Sequence, residues 1–377
     1  MGFVSWNTFV FSFKVVCTLA TVFMIGFWIL KYQKNEDVSV IEYKEIDEFE
    51  SFVLPEVSIC LLSPFLAHKL MEIDRNTSVC NYVKYLRGSQ TVAESYQKIA
   101  FYNVTLDLFE HLTHYNIRMR DENKTKPYLL CPTRQKCPFV KFKNSFNGFW
   151  MDAFYRCFGV EIKKHFTKKI KELDLYFNSL SLANSLTEIQ ESIGLQTVVS
   201  VTFNYPQQML KASEVRKNIW NQPNENRVYT QFKITSMEVL KRRNKRNAPC
   251  LLDWMHFDDV VLKKHLEGVG CRAPYLNSDT PQCTSKEKMS ESLYEMTKVR
   301  RKYVPAPCQE MSNIESTFEP LEFLNENQLN NTTPTNILNL KIVYPNRIKR
   351  VTQSQSIDIQ ALIGNIGGYL GLFLGKV

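Results

Sequence analysis

Residues 15–30 (VVCTLATVFMIGFWIL) constrain this chain most: sixteen consecutive residues without a charge, close to the N-terminus. With residues 9–13 the apolar stretch reaches about 23 residues, broken only by Lys14. At 1.5 Å per residue that crosses a hydrocarbon core about 30 Å thick. Trp28 and Tyr32 fall where an aromatic belt lies, and Lys14 can snorkel from the other end. A cleavable signal peptide fits less well: the tract is long for an h-region, its leader is uncharged, and no small-x-small cleavage site follows. Residues 9–31 are therefore expected to form a transmembrane helix behind a cytosolic stub at 1–8.

Lysines flank both ends of the tract (Lys14; Lys31 and Lys34), so the positive-inside rule does not set the orientation. Cysteines and sequons do. Cys60, Cys80, Cys131, Cys137, Cys157, Cys250, Cys271, Cys283 and Cys308 follow the tract, together with N-x-S/T sequons at Asn76, Asn103, Asn123, Asn330 and Asn331. Their coincidence predicts an oxidising, extracellular location for the bulk of the chain, residues 32–356, at the plasma membrane. Nine cysteines is an odd number, so at least one has no intrachain partner. Cys131 and Cys137, each followed by a proline, lie close enough for a small local loop. The net charge of +9 is spread along the chain rather than concentrated in a stripe, which argues against nucleic acid as a partner.

Residues 54–65 (LPEVSICLLSPF) read as a strand continuing directly from the membrane. Helical spacing over 90–118 (Leu106, Phe109, Leu112) and 158–194 (Ile162, Phe166, Ile170) predicts helices packed over a core. Three segments alternate with period two: Val199, Val201, Phe203 and Tyr205; Val228, Thr230, Phe232 and Ile234; Leu338, Leu340, Ile342 and Tyr344. They are expected to share one sheet. Between the last two lies a cysteine-bounded, helix-rich insertion. Thr284-Ser285-Lys286-Glu287 fits a capping box opening a helix to about Lys302, and Asp258 is a candidate cap for a helix running to Leu266. The fold class is a membrane protein with an N-terminal transmembrane helix and a large, disulfide-rich α+β extracellular domain.

Four segments resemble the degenerin/epithelial sodium channel family. Pro55, Val57, Ser58, Cys60 and Pro64 match the family's strand after the first membrane helix. Cys131 to Cys137, followed by Tyr155-Arg156-Cys157-Phe158, resembles its small loop and Cys-x-x-Phe region. The block from Pro249-Cys250 through Gly270-Cys271-Arg272-Ala273-Pro274-Tyr275-Leu276 and Cys283 to Pro307-Cys308 is similar to its thumb. Residues 363–375 (IGNIGGYLGLFLG) are similar to its glycine-rich approach to the second membrane helix. There, Gly364, Gly367, Gly368, Gly371 and Gly375 stand at near-helical spacing between Leu370, Leu372 and Phe373, as close helix approach in a membrane requires.

The resemblance implies a palm of strands near 54–60, 197–205, 228–240 and 337–344, a finger over about 90–194 and a thumb over 250–308. It implies the pairs Cys60–Cys157, Cys131–Cys137, Cys250–Cys308 and Cys271–Cys283, leaving Cys80 over. Several departures stand beside it. Part of the thumb's usual disulfide ladder is absent, the cytosolic His-Gly motif before the first helix is missing, and Asn365 replaces a common Asp. Residues 357–377 are expected to be an incomplete second pore segment. The run 366–374 spans about 13 Å, too short for a crossing, and Lys376 and Val377 stand where a Gly-x-Ser filter would continue. A truncated gene model or a partial chain is the expected reason.

Function follows by resemblance: one subunit of a trimeric, voltage-independent, sodium-selective, amiloride-sensitive cation channel. Its partners would be sodium ions, related subunits in a homo- or heterotrimer and the lipid bilayer. The extracellular stimulus would be protons, a peptide or force, and motion would reach the pore through residues 55–60 and 344–357. Rival readings are a non-conducting or dominant-negative, receptor-like subunit and a type II membrane-anchored luminal enzyme. Against the enzyme, the chain holds no Asp-x-Asp, His-Glu-x-x-His or Gly-x-Ser-x-Gly. No cofactor and no metal site is expected, since His68, His111, His114, His165, His256 and His265 are scattered. Asp258, Asp259 and Glu267 form a candidate proton-sensing cluster weighed against simple capping and solvation. Residues 241–246 (KRRNKR) hold a furin-like Arg-x-Lys-Arg pattern, read first as a solvated strand end or a basic loop near lipid headgroups.

Overall fold

Period-two alternation builds the two sheets of the extracellular chain. A computed structural model describes residues 6–34, 36–48, 54–89, 94–120, 139–150, 153–178, 181–182, 184–185, 188–189, 199–204, 217–220, 227–246, 248–252, 257–293, 305–320 and 337–374. One sheet runs in the order β1 (Asp37–Glu45), β12 (Arg347–Gln355), β9 (Arg227–Lys241), β11 (Ile337–Val343), β6 (Ile170–Asn178), β3 (Leu112–Met119), with β10 (Gln309–Pro320) also paired to β9. The other runs β4 (Val140–Trp150), β5 (Ala153–Ile162), β2 (Glu56–Leu62), β7 (Val199–Asn204), β8 (Lys217–Trp220). β11 lies parallel to β9 and antiparallel to β6.

Their inward faces make one core. Leu173, Leu175, Phe177, Phe232, Ile234, Leu338, Leu340 and Ile342 come from the first sheet; Val57, Ile59, Leu61, Phe158, Val160, Ile162, Val199 and Val201 come from the second. Each such side chain is worth about 1.5–3 kcal/mol when removed from water, which outweighs local helix propensity. The period-two segments are therefore strands, but they do not share one sheet: β9 and β11 are neighbours in the first, whereas β7 pairs with β2 in the second.

Of the helices expected over 90–118 and 158–194, the described residues keep a short helix at Glu94–Gln97 and a few helical residues within 181–189, while the segments that carry the helical spacing are 3-10 turns and strands. Leu106, Phe109 and Leu112 straddle a 3-10 turn (Leu108–His111) and the start of β3. Ile162, Phe166 and Ile170 mark the end of β5, a 3-10 turn and the start of β6. Their four-residue spacing is that of a strand connection, and the flanking residues alternate. The strand at 54–65 is β2, placed inside the second sheet between β5 and β7. The strand that leaves the membrane helix is β1, whose mixed pattern DVSVIEYKE hides its period.

A second, aromatic core lies among α2 (Ala67–Ile73), α3 (Val79–Leu86), α4 (Glu94–Gln97), α5 (Phe257–Val269) and α6 (Lys286–Glu291). Phe65, Tyr82, Tyr85, Phe101, Phe154 and Tyr275 interlock there, with ring centroids 5.2–6.2 Å apart. Ser78 caps α3 through Asn81 N and Ser285 caps α6 through Lys288 N. The α6 cap is thus Ser285 rather than Thr284. The helix ends at Glu291, where Ser292 N turns back to Lys288 O, and the rest of the segment expected to run to Lys302 lies, from residue 294 on, outside the described residues. α5 begins at Phe257, which puts Asp258 inside its first turn rather than at the cap. Gly88 ends α3 with φ +64°, and a Cβ there would sit 2.8 Å from Lys286 O, so both conformation and space demand glycine.

Two charged groups are buried in the second sheet. Arg156 is 2% exposed; it donates to Thr105 Oγ1 (2.5 Å), Thr105 O (3.3 Å) and Leu106 O (3.0 Å) and stacks on Phe158. Glu56, also 2% exposed, pairs with Lys143 at 2.8 Å, and Lys143 reaches Glu161 at 3.0 Å.

The chain divides into two units: residues 1–42, 241–243 and 351–377 form one, and 43–240 with 244–350 form the other. The backbone passes between them within β1, at the end of β9 and within β12.

Candidate pore segment and coupling strands

The smaller unit contains α1 (Trp6–Lys34) and α7 (Ile359–Leu374). α1 is long and apolar enough to cross a membrane. α7 begins earlier than the nine-residue run 366–374, because Asp358 caps it: Asp358 Oδ1 accepts from Ala361 N at 2.6 Å and Asp358 O from Leu362 N at 2.9 Å. Its 16 residues span about 24 Å, still short of a core of about 30 Å.

The two helices pack together. On α1 the covered stripe is Cys17, Ala20, Thr21, Met24, Ile25 and Trp28, while Phe11, Leu19 and Phe23 stay exposed. Thr21 Oγ1 donates to Cys17 O at 2.8 Å, which satisfies its hydroxyl without water. On α7 the half-buried positions are Leu362, Asn365, Ile366 and Tyr369. Gly364, Gly367, Gly368 and Gly371 are exposed and repeat at the same spacing on the opposite side of the helix. A Cβ added to any of the four meets nothing within 4 Å. The expected close helix approach is therefore not an approach to α1: the glycine face points away from it. Gly375 lies outside the described residues.

At the membrane end of this unit Ser356 N donates to Glu36 O at 2.9 Å, tying the segment that leads into α7 to the residue just beyond α1. Within the larger unit, Arg347 reaches Glu45 at 3.5 Å and Lys349 reaches Glu238 at 2.6 Å, so charged pairs join β12 to the ends of β1 and β9. Among the described strands, β1 and β12 are the ones continuous with the membrane helices. Residues 56–60 belong to β2, and β1 lies between them and α1 in the chain.

On the face of the first sheet turned away from the core, Glu172 accepts from Arg118 Nη1 and pairs with Lys341 Nζ, each at 3.1 Å. Asp174 stands in register with Lys341 on one side and Asn116 on the other, and its Oδ1 is buried without a hydrogen-bond partner among the described residues. Burial pushes its carboxyl up to about 6; Lys341 opposes the shift and Glu172 adds to it. Above pH 6 the folded state carries an ionised, poorly solvated carboxylate. As pH falls through 6 toward 3.8 the folded state takes up a proton that the unfolded state does not yet hold. Stability is therefore expected to rise across that window, by up to about 3 kcal/mol from this group. Comparing unfolding midpoints of wild type and Asp174→Asn between pH 7 and pH 5 isolates it. Wild type should gain on Asp174→Asn as pH falls, and parallel curves would contradict the assignment.

Other sequence candidates are placed as follows. Disulfides join Cys60 to Cys157 directly across β2 and β5, Cys250 to Cys308, and Cys271 to Cys283. Cys17 is buried and Cys80 exposed, both as thiols. Asn76 and Asn103 are exposed. Cys131, Cys137, Asn123, Asn330 and Asn331 lie outside the described residues. Asp259 and Glu267 are exposed on α5, and Glu267 reaches Lys263 at 4.0 Å. No group of three His, Cys, Asp or Glu that could hold a metal occurs among the described residues. The histidines serve separate contacts: His68 to Glu188 at 2.6 Å, His111 to Ser181 at 2.9 Å, and His114 stacked on Tyr176. The charged cluster around Glu172 and Asp174 has no local sequence signature, because its members come from three strands far apart in the chain, β3, β6 and β11.

The described residues combine a helix of membrane-crossing length, a second apolar helix against it and a disulfide-bridged, strand-rich domain. Residues 261–376 match the amiloride-sensitive sodium channel family, the family recognised in the sequence. No curated protein sequence matches the chain. Among solved structures, a proton-activated chloride channel determined by cryo-EM is similar at 8% identity and a TM-score of 0.31, with 98% of this chain and 93% of that chain covered. A likeness of that size adds nothing to the assignment. The family is one of channels rather than enzymes.

Proposed function

We propose that the chain is one subunit of a trimeric, voltage-independent, sodium-selective and amiloride-sensitive cation channel gated by an extracellular stimulus. The observation that carries the reading is the two-sided α7. Leu362, Asn365, Ile366 and Tyr369 lie toward α1, and Gly364, Gly367, Gly368 and Gly371 lie opposite with open space around them. Around a three-fold axis that free side would face the permeation path and the neighbouring copies, where small residues and bare backbone admit a hydrated ion. A stimulus acting on the extracellular domain would shift β1 and β12, and the Ser356–Glu36 bond would make the two helix ends move together. It would do so only by favouring one state over the other.

Whole-cell recording of the full-length protein expressed in cultured cells tests this. The expected result is a current carried by sodium, abolished when an impermeant organic cation replaces it, blocked by amiloride and unmoved by chloride substitution. Surface trimers with no current under protons, peptides or stretch, or with a current carried by chloride, would overturn it.

A further inference from the structure

The connection from β5 to β6 gathers positive charge that conduction does not use. Residues 162–171 (IKKHFTKKIK) hold five lysines and a histidine, with no Asp or Glu among them. The carboxylates on either side are already engaged: Glu161 with Lys143 at 3.0 Å, and Glu172 with Arg118 and Lys341 at 3.1 Å each. Lys163 and Lys168 hold contacts within the chain. The others are open: Lys164, His165 and Lys169 are exposed, Lys171 is half-buried, and among the described residues no hydrogen bond or ion pair engages their side chains.

The backbone presents these side chains on a fixed turn. Phe166 N donates to Lys163 O at 2.8 Å and Lys169 N to Phe166 O at 3.0 Å. Two such turns in succession keep the Cα atoms of Lys163 and Lys169 within about 14 Å. Thr167 Oγ1 donates to Lys164 O at 3.0 Å, while Arg120 N and Tyr344 N hold Lys169 O at 2.7 Å and Lys171 O at 2.9 Å. Lys171 is the extra residue of a bulge: Arg118 pairs with Glu172 and Met119 with Ile170, so no residue of β3 faces it. A turn held in this way needs little ordering when a partner arrives.

Three features select among anionic partners. Lysines without arginine supply hydrated point charges rather than the planar fork that grips a single phosphate or carboxylate. The one ring between them, Phe166, is half-buried and packs edge-on against Phe139 at 4.7 Å, so no exposed ring is offered for bases to stack on. Ile162 and Ile170 are buried, so the run shows no apolar anchor of the kind that dominates protein interfaces. What fits is a linear polyanion recognised through charge alone, and outside a cell that chemistry belongs to sulfated polysaccharides.

We propose that Lys164, Lys169 and Lys171, with His165 beside them, dock a sulfated polysaccharide of the cell surface. The site lies in the larger unit and does not depend on conduction, so it stands or falls separately from the channel reading.

The test measures binding of the solubilised full-length protein to immobilised heparin over a salt series. The wild type is expected to bind heparin, with an affinity that falls linearly in log salt, and to ignore fully desulfated heparin. Lys164→Gln/Lys169→Gln/Lys171→Gln should weaken binding roughly tenfold or more and flatten the salt slope by about 2–3 units, because three contacts no longer release counterions. Lys98→Gln/Lys264→Gln/Lys286→Gln removes the same charge from exposed lysines elsewhere and should leave binding unchanged. Lys164→Arg/Lys169→Arg/Lys171→Arg should retain it, which separates a lost site from a lost fold. No heparin binding by the wild type, equal binding of the desulfated polymer, equal weakening by the two glutamine triples or loss in the arginine triple overturns the proposal. So does a wild type that prefers phosphatidylglycerol vesicles or single-stranded RNA to heparin, which would assign the run to a lipid headgroup or a nucleic acid.

Discussion

Replacing Lys143 by methionine is expected to destabilise the extracellular domain by about 3–5 kcal/mol, the cost of stranding a buried carboxylate. Glu56 is 2% exposed on β2, and Lys143 of β4 is its ionic partner at 2.8 Å. Burial pulls the Lys143 ammonium toward neutrality, and Glu56 and Glu161 overcome that pull, so its pKa stands above the usual lysine value. Gly159 across the strand leaves the room Glu56 occupies, since a Cβ there would collide with Glu56 Oε1. Without Lys143 the fold holds Glu56 beside Glu161 with no ammonium between them. One further result follows. Glu56→Gln/Lys143→Met should recover much of the loss, because a polar amide is far cheaper to bury than an unpaired charge. Denaturant unfolding of the solubilised chain measures both, and a Lys143→Met midpoint equal to wild type would refute the ion-pair account.

Arg156→Met is expected to cost a similar amount, about 3–5 kcal/mol, for a different reason. The guanidinium holds together the Thr105–Leu106 backbone, the Asn144 amide at 3.5 Å and the Asp107 carboxylate at 3.9 Å. Asp107 in turn caps the 3-10 turn through Phe109 N at 3.0 Å. Losing the guanidinium leaves buried carbonyl oxygens without their donor, and methionine fills only its volume. Arg156→Lys should restore little, since one ammonium cannot span acceptors set around a planar fork lying on Phe158 and Tyr102. Full rescue by lysine in the same unfolding assay would show that charge, rather than geometry, is what the site uses.

These two sites show where sequence reading succeeds and where it stops. Arg156 was visible as part of Tyr155-Arg156-Cys157-Phe158, but its burial was not, because acceptors 50 residues away cannot be seen in a local pattern. Strands with clean alternation, such as β9 and β11, were legible; their partners were not, and β7 joined the other sheet because Val199 and Val201 meet β2 rather than β11. Over 158–178 the helical spacing misleads for a specific reason. Turns joining aromatic-rich strands place Ile162, Phe166 and Ile170 at helical intervals, although the flanking Phe158 and Val160 alternate. β1 was missed because Ile41 and Tyr43 break the parity set by Val38 and Val40, as an exposed edge strand tolerates. In the pore segment the glycine spacing was legible, but which side of α7 it marked depended on α1, whose covered stripe only packing reveals.

That side of α7 is the centre of the account, and cysteine substitution tests it most directly. In a chain carrying Cys17→Ala and Cys80→Ser, single cysteines at Gly364, Gly367, Gly368 and Gly371 should react with a membrane-impermeant thiol reagent and block the sodium current. Cysteines at Leu362, Ile366 and Tyr369, packed toward α1, should be protected. The reverse pattern, or equal reactivity on both faces, would contradict it.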